Sequence, residues 1–135
     1  MSDTYKCKAG LLTGTSAKEI EKKARRLFHD VENKTRRKAY IRSKSFDGEK
    51  IFVATFWDHF SKKNYRDRER RLRYYQCALE LLARSTVKPE VIFENKSEKI
   101  YRLSGVTDNG AKFMVRVRFE TKTKAHYFTS VFPYD

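Results

Sequence analysis

The 135-residue chain has little cysteine, glycine and proline, and it has far fewer acidic than basic residues. Its two cysteines, Cys7 and Cys77, lie far apart in the sequence without metal-ligand spacing, which excludes a zinc module and favours free thiols in a reducing compartment. Five glycines and two prolines provide no glycine-rich phosphate loop and no flexible linker. No apolar run is long enough to cross a bilayer, and the first residues lack a signal-peptide pattern. These absences predict a cytoplasmic protein without a metal or cofactor.

The charge balance is the strongest compositional feature. Thirty-one lysines and arginines against 17 acidic residues give a formal net charge of +14. Such a chain is attracted to polyanions through counterion release, with nucleic acid the first expectation and an anionic membrane surface the second. Aromatic residues make up 14% of the chain, which argues against disorder although 36% of the residues are charged. The length predicts a single domain with one core.

The N-terminal part is expected to be a loose arm over residues 1–14, followed by a single α+β domain over 15–135. Ser16 and Glu19 form a capping-box pattern that predicts the start of a helix. Apolar residues then recur at helical spacing as far as Val31, and the helix is expected to end near Asn33. Two strands, Ala39–Phe46 and Lys50–Trp57, are predicted around a type I′ turn at residues 47–48.

A second helix is predicted after His59. Its first half carries seven basic and two acidic residues between positions 62 and 73, and its second half has the apolar stripe of a buried helix. Pro89 ends this element, because proline disfavours the helical conformation in the residue before it. The cationic half, with its interleaved tyrosines, indicates a phosphate-binding and base-stacking surface, although a solvated helix face has the same pattern.

The C-terminal part reads as a four-stranded antiparallel sheet. The predicted strands are Val91–Glu94, Ile100–Thr107, Lys112–Glu120 and Ala125–Phe132. Asn109 and Gly110 predict a type I′ hairpin turn between the second and third strands. In the third strand apolar residues alternate with polar ones, which is typical of a sheet with one buried face. The fold class is therefore α+β, with an N-terminal helix and β-hairpin, a basic helix and this sheet.

The candidate catalytic residues point to metal-independent cleavage of RNA. Acidic residues are too dispersed for a two-metal nuclease, whereas histidine titrates in the range needed to move protons to and from RNA oxygens. His59 and His126 are the candidate acid and base, although His59 has an equal expectation of a packing or capping role. The face of the last strand that carries His126 stays open, because both faces carry apolar residues.

Cations and hydroxyls near the last strands complete the catalytic hypothesis. Arg116 and Arg118 are expected to stabilise the charged phosphorane, since a guanidinium matches phosphate oxygens. Thr129 and Ser130 are expected to position the phosphate. The alternative interpretation of the two arginines is a solvated sheet face paired with Glu120, which is the commoner outcome of such alternation. The residues predicted to bind nucleic acid are Lys62, Lys63, Arg66, Arg70, Arg73, Tyr74 and Arg102.

The order of elements over residues 57–133 resembles the barnase–EndoU–colicin–RelE group of nuclease-like domains, in particular its phage and mobile-element branches. The resemblance is carried by the basic helix, the proline turn at residues 88–92, and the segments 101–103, 113–117 and 126–132. It implies a metal-independent ribonuclease that acts as a toxin or effector. The group's habit of placing cations and hydroxyls on the last strands matches Arg116, Arg118, Thr129 and Ser130, and its helix-borne histidine matches His59.

Three functional hypotheses follow. The first is a small RNA endonuclease acting through attack of the ribose 2′-OH on tRNA or rRNA, for which an acidic immunity or inhibitor protein is a compatible partner. The second is a catalytically inactive module that binds nucleic acid or the ribosome through the same surface. The third is a mobile-element protein that docks on an acidic host protein. Each predicts a protein that acts without a membrane.

Overall fold

The computed structural model describes residues 4–60 and 65–134 of the chain and confirms the α+β class. The strands are β1 Thr4–Lys6, β2 Tyr40–Ser43, β3 Glu49–Phe52, β4 Glu90–Glu94, β5 Glu98–Val106, β6 Lys112–Glu120 and β7 Ala125–Pro133. The helices are α1 Ala17–Asn33, α2 Thr55–Phe60, α3 Tyr65–Leu72 and α4 Tyr75–Arg84, with a short 3₁₀ turn at Lys44–Phe46.

The first helix forms where its capping residues predict it. The backbone N–H of Glu19 donates to Ser16 Oγ at 3.2 Å, which satisfies a free donor of the first turn. The Glu19 carboxylate accepts from the backbone N–H of Thr15 at 3.0 Å, so the return bond reaches one residue further than in a standard capping box. The helix ends at Asn33, as the apolar spacing predicts.

All seven described strands belong to one mixed sheet. β4 to β7 are antiparallel neighbours in chain order, as predicted. The sheet, however, extends beyond them on both sides, with the order β1-β5-β6-β7-β3-β2 and β4 beside β5. β1 pairs parallel with the end of β5, and β3 pairs parallel with the start of β7. A separate four-stranded antiparallel sheet was therefore too simple a prediction, because strands distant in sequence complete it.

The N-terminal segment is part of the domain, which differs from the expected loose arm. β1 pairs with residues 104–106 of β5, and the side chains of Cys7 and Leu12 are buried. The Glu80 carboxylate on α4 accepts hydrogen bonds from the backbone N–H groups of Lys8 and Ala9 at 2.8 and 2.9 Å. These bonds to a charged group fix a segment that has few apolar residues of its own.

Several predicted elements have other boundaries in the structure, including the strand predicted over Ala39–Phe46, which ends at Ser43 before the 3₁₀ turn. β3 ends at Phe52, and residues 55–57, which were predicted to continue the strand, begin α2 instead. Phe56, Trp57 and Phe60 have helical spacing, and all three are buried. The predicted second helix is also two described helices, α3 and α4, separated at Tyr74, whose φ and ψ of −90° and 2° leave the helical region.

Both predicted hairpins form, but neither uses a type I′ turn. Asp47 and Gly48 have positive φ angles of 56° and 80°, yet they end the 3₁₀ turn of a five-residue loop between paired Ser43 and Glu49. At the second hairpin only Gly110 has a positive φ, and its backbone N–H donates to the carbonyl of Thr107 at 3.0 Å. A turn followed by a left-handed glycine is the longer hairpin connection that such sequences also allow.

The core lies between one face of the sheet, called here the inner face, and the helices. Phe128 on β7 stacks on Phe56 of α2 with ring centres 4.9 Å apart, and Tyr75 of α4 packs beside both rings. Six inner-face side chains of β3, β6 and β7 are fully buried: Ile51, Phe113, Val115, Val117, Phe128 and Val131. The opposite face, called the outer face, carries the polar and half-exposed side chains.

Candidate nucleic-acid interface

β6 fixes which side chains belong to each face. Val115 and Val117 are fully buried on the inner face, whereas Arg116 and Arg118 between and after them point to the outer face. Arg116 pairs with Arg102 of β5 and with Ser130 of β7, so these three residues also share the outer face. The two predicted arginines, one predicted hydroxyl and Arg102 are therefore brought to the same surface.

A row of large side chains crosses the outer face at the level of Arg118. The strand register places one residue from each of six strands in this row. In spatial order they are Phe93, Ile100, Arg118, Tyr127, Phe52 and Tyr40. Strands lie about 4.8 Å apart, so the row, called here the aromatic row, is about 24 Å long.

The rings of the aromatic row contact one another. Phe52 and Tyr127 have ring centres 5.8 Å apart with planes inclined by 35°, and Tyr40 meets Phe52 edge-on at 6.4 Å. Aromatic pairs at such distances stabilise a sheet through cross-strand packing. All three rings are only half-buried, so part of each π-face or edge stays open to solvent.

Cations lie over the rings of the aromatic row. The Arg118 guanidinium is 5.3 Å from the ring centre of Tyr127, and the Lys50 ammonium is 4.6 Å from that of Tyr40. Arg42, which pairs with Lys50, lies 5.8 Å from the same Tyr40 ring. These contacts hold the positive charges beside open aromatic surface instead of leaving them on freely rotating side chains.

A second row on the outer face contains Arg102 of β5 and Arg116 of β6, which pair with each other. Both Glu90 carboxylate oxygens accept from Arg102 at 2.9 Å, which neutralises that guanidinium. Arg116 is exposed and lies 5.0 Å from the ring centre of Phe132, and among the described residues it has no carboxylate partner. Arg71 of α3 approaches the same ring at 5.4 Å. Arg116 is therefore the cation of this row with its charge most available to an anion.

His126 lies on the inner face, away from these arginines. It pairs with Phe119 of β6 and Ile51 of β3, and its ring is 4.9 Å from Phe46 and 4.8 Å from Phe119. Burial lowers the pKa of His126, a shift that the charge of Glu49 opposes. The aromatic surroundings hold a neutral imidazole well, and the register does not bring this histidine to Arg116 or Arg118.

His59 lies on the helical side of the sheet. It is an exposed residue near the end of α2, the helix whose Phe56 stacks on inner-face Phe128. The two histidines named as an acid–base pair and the arginines named as phosphate ligands therefore occupy different sides of the sheet. The arrangement that the cleavage hypothesis requires does not form from these residues.

Thr129 and Ser130 differ in their placement because β7 contains a bulge opposite Arg116 and Val117. Thr129 is the extra residue, and its hydroxyl donates to the backbone carbonyl of Arg116 at 3.3 Å. Ser130 follows it and lies directly opposite Arg116 on the outer face. Of the two predicted hydroxyls, that of Ser130 is placed beside a cation, whereas that of Thr129 is used in fixing the bulge.

The predicted helical surface is only partly available. Arg70 donates to Asp67 at 3.0 Å, and Arg73 lies 3.5 Å from Glu69, so both cations have carboxylate partners. Burial acts to raise the pKa of Asp67, but hydrogen bonds from Arg70 and Arg71 outweigh it and lower the pKa. Exposed ion pairs of this kind contribute little to stability, yet they reduce the net charge offered to a phosphate.

Tyr74 corrects the prediction of a stacking surface on this helix. Its side chain is 9% exposed, and its ring packs 5.6 Å from Phe113 in the core. A ring enclosed in this way has no face for a base. Lys62, Lys63 and the side chain of Arg66 lie outside the described part of the chain.

The part of this surface that β2 and β3 form was not predicted from the sequence. Tyr40 and Arg42 alternate with apolar Ile41, and Lys50 and Phe52 alternate with Ile51, so each short strand presents an aromatic residue and a cation on one face. That alternation is visible in the sequence. Its meaning depends on the pairing of β3 with β7, which no local pattern indicates.

Comparison of the chain with protein-family models, with curated proteins and with solved structures gave no match. Within residues 4–60 and 65–134, no helix has the length and apolar character needed to cross a membrane. A function for this protein is therefore inferred from the geometry of the outer face.

Proposed function

We propose that this protein binds single-stranded RNA across the outer face of its sheet, without catalysing its cleavage. The observation that carries the proposal is the aromatic row, in which half-exposed rings from three strands contact one another and are flanked by cations. Proteins that bind unpaired strands commonly combine these two elements, because every base has a π-face and every nucleotide a phosphate.

The dimensions of the aromatic row suit a short unpaired segment. Stacking on a protein ring contributes about 1–3 kcal/mol per base and requires bases that are not stacked inside a duplex. A row of about 24 Å across six strands has room for about four nucleotides in an extended strand. A double helix presents its phosphates instead of its base faces, so it cannot use Tyr40, Phe52 and Tyr127 in the same way.

The cations of the outer face give the phosphates two places to bind. Lys50 and Arg42 lie beside Tyr40 at one end of the aromatic row, and exposed Arg116 lies in the neighbouring row, one residue pair from Arg118. A guanidinium offers two parallel N–H donors to phosphate oxygens. The formal net charge of +14 adds a long-range attraction that salt screens.

Hydroxyl groups near these cations favour RNA over DNA as the ligand. Ser130 lies opposite Arg116. The hydroxyl of Tyr127, a member of the aromatic row, is 3.4 Å from Thr123 Oγ1. Each is a donor and acceptor within the surface that the sugar of a bound strand would contact. A ribose 2′-OH supplies the matching group, and deoxyribose does not.

Binding is better supported than cleavage by this geometry. General acid–base cleavage needs a proton-transferring group within hydrogen-bond reach of the same ribose–phosphate unit that the arginines hold. His126 faces the inner side, and His59 belongs to a helix on that side. The ribonuclease hypothesis stays a prediction, and its alternative, a binding module, is the one that the outer face supports.

The decisive experiment measures fluorescence anisotropy of a labelled short oligoribonucleotide, single-stranded and annealed to its complement, at physiological salt. The proposal predicts that the single strand binds at least about tenfold more tightly than the duplex, which corresponds to about 1.4 kcal/mol, the scale of one stacked base. Equal affinity for both forms would show that net charge alone drives binding, and it would contradict the proposal.

Cleavage is tested separately with the same protein preparation. Prolonged incubation of the protein with total RNA and with a tRNA pool should leave both intact and should produce no 2′,3′-cyclic phosphate ends. Appearance of such ends, and their loss in a His126→Ala variant, would restore the ribonuclease hypothesis with His126 as a participant.

A further inference from the structure

The fold brings together two thiols that are distant in the sequence. Cys7 directly follows β1, and Cys77 lies on α4, 70 positions further along the chain. Both are free thiols, and their exposed fractions are 4% and 0%. Cys7 Sγ lies 3.6 Å from the backbone carbonyl oxygen of Cys77, so the two residues are in direct contact.

The segment that carries Cys7 is fastened on both sides of the thiol. The backbone N–H of Cys7 donates to the carbonyl of Val106 at 2.9 Å, and the Glu80 carboxylate holds the next two backbone N–H groups. On the other side, Cys77 Sγ is 3.3 Å from the carbonyl oxygens of both Ala9 and Gly10. These hydrogen bonds fix the separation of the two cysteine backbones in the folded protein.

The thiols also interact with each other. The hydrogen bond between them, together with burial, raises the pKa of the Cys7 thiol. The same hydrogen bond lowers the pKa of the Cys77 thiol, because the donor stabilises its thiolate. The two thiols therefore lose their protons as a coupled pair, and either can make the first attack on an oxidant.

We propose that Cys7 and Cys77 form a reversible disulfide that fastens the N-terminal strand to α4, with a low-molecular-weight disulfide such as glutathione disulfide as the oxidant. The thiolate of one cysteine attacks one sulfur of the oxidant, forms a mixed disulfide and releases one glutathione thiolate. The thiolate of the other cysteine then attacks the protein sulfur of the mixed disulfide and releases the second glutathione. Two protein thiols lose two protons and two electrons, and one glutathione disulfide becomes two glutathione molecules.

Access to the buried pair requires local opening of the N-terminal segment. β1 is three residues long and pairs only with the end of β5 among the described strands, so its opening does not require the core to unfold. Once formed, the bond closes a loop between two residues 70 positions apart and stabilises the closed segment. The cysteine pair is separate from the proposed RNA-binding surface, because Cys77 lies on α4 and Cys7 follows the edge strand β1.

The test treats the folded full-length protein with glutathione disulfide, blocks the remaining thiols with N-ethylmaleimide and digests it with trypsin. The expected product joins the peptides 7–8 and 74–84, is absent after dithiothreitol and comes from monomeric protein on non-reducing gels. Cys7→Ser and Cys77→Ser are the matched controls, and each should yield only a glutathione adduct on its remaining cysteine.

The oxidised protein should melt at a temperature higher by about 5 °C or more than the reduced protein, and cleavage by a protease within residues 4–14 should slow in parallel. The cysteine-to-serine variants should show neither change. Stable mixed disulfides on both cysteines, or cross-linked dimers without the joined peptides, would overturn the proposal. So would an internal bond that lowers the melting temperature, because it would show that the native separation does not accommodate the bond.

Discussion

The rings of Phe52 and Tyr127 lie 5.8 Å apart across the parallel pairing of β3 with β7. Their residues are far apart in the sequence and come from two different hairpins. The contact joins Tyr40 and Phe52 of the N-terminal hairpin to the arginine-bearing strands. The proposed RNA-binding surface is therefore a product of tertiary structure, and neither hairpin contains it alone.

The first prediction concerns Tyr127, which lies at the centre of the aromatic row. Tyr127→Ala should weaken binding of single-stranded RNA by about five- to 150-fold, because it removes one stacking surface worth about 1–3 kcal/mol. Anisotropy titrations measure the change. Tyr127→Phe is the matched control, and it should keep most of the affinity because the ring remains.

The folded state of both Tyr127 variants is checked by urea unfolding. Loss of a cross-strand aromatic pair costs about 0.2–1 kcal/mol, which should leave the alanine variant folded. A folded Tyr127→Ala variant that binds RNA as well as the unmodified protein would show that the ring does not contact bases.

The second prediction concerns Arg116. Arg116→Gln should weaken binding and reduce the slope of log K against log salt concentration by about 0.7, the value for one phosphate contact on a single strand. Arg84→Gln is the matched control, because Arg84 is exposed near the end of α4 and removes the same charge from the helical side. Equal slopes for the two variants would mean that Arg116 adds only general charge.

The third prediction concerns the stability of the fold as a function of pH. Burial lowers the pKa of His126 below its ordinary value of 6.5, so the unfolded chain takes up a proton on this residue before the folded chain does. The contribution of His126 to stability is complete above pH 6.5, and it decreases as the pH falls from there to the lowered pKa. Urea unfolding between pH 7.5 and 5 measures the effect.

A His126→Phe variant separates this effect from other acid-sensitive groups. Phenylalanine fits among Phe46, Phe119 and Tyr101, which surround the imidazole, and it has no proton to bind. The variant should lose less stability than the unmodified protein over the same pH interval. An identical pH dependence would show that His126 titrates as a solvent-exposed histidine.

The fourth prediction concerns Gly105 on β5. A methyl group at this position would overlap the ring of Phe113, because the nearest ring carbon is closer than two atoms can approach. Gly105→Ala should destabilise the fold by about 1–3 kcal/mol, because the fully buried Phe113 ring must move. Chemical unfolding measures the difference.

Gly10→Ala is the control for the Gly105 experiment. Its new methyl group would meet Asp108 Oδ1 at 3.6 Å, an ordinary contact, so the change in unfolding free energy should stay within about 1 kcal/mol. Similar effects of the two substitutions would contradict the close approach of Gly105 and Phe113.

The local elements could be predicted from the sequence. The α+β class, the start and end of α1 and the strands from β4 to β7 follow from capping residues, helical spacing and alternation. The end of β3 could not be placed, because Phe56 and Trp57 are typical strand residues that the core uses in a helix. The two parallel pairings were also missed, since long-range strand partners leave no local signal.

The faces of the last strand could not be assigned from the sequence, because β7 contains a bulge. Phe128 and Val131 are three positions apart, yet both are fully buried, because the bulge at Thr129 reverses the alternation between them. Simple alternation placed His126 and Ser130 together, whereas the bulge puts Ser130 on the outer face and leaves His126 inside. Arg102, Arg116 and Arg118 share the outer face as their alternation indicates, because no bulge separates them on β5 and β6.

The most direct test of the proposed RNA-binding surface is photocrosslinking of the full-length protein to a short single-stranded RNA that contains 4-thiouridine, with adducts mapped by mass spectrometry. RNA binding across the outer face predicts adducts at Tyr40, Phe52, Tyr127 and Phe132. Adducts confined to α1 and α3, with none on these strands, would contradict it.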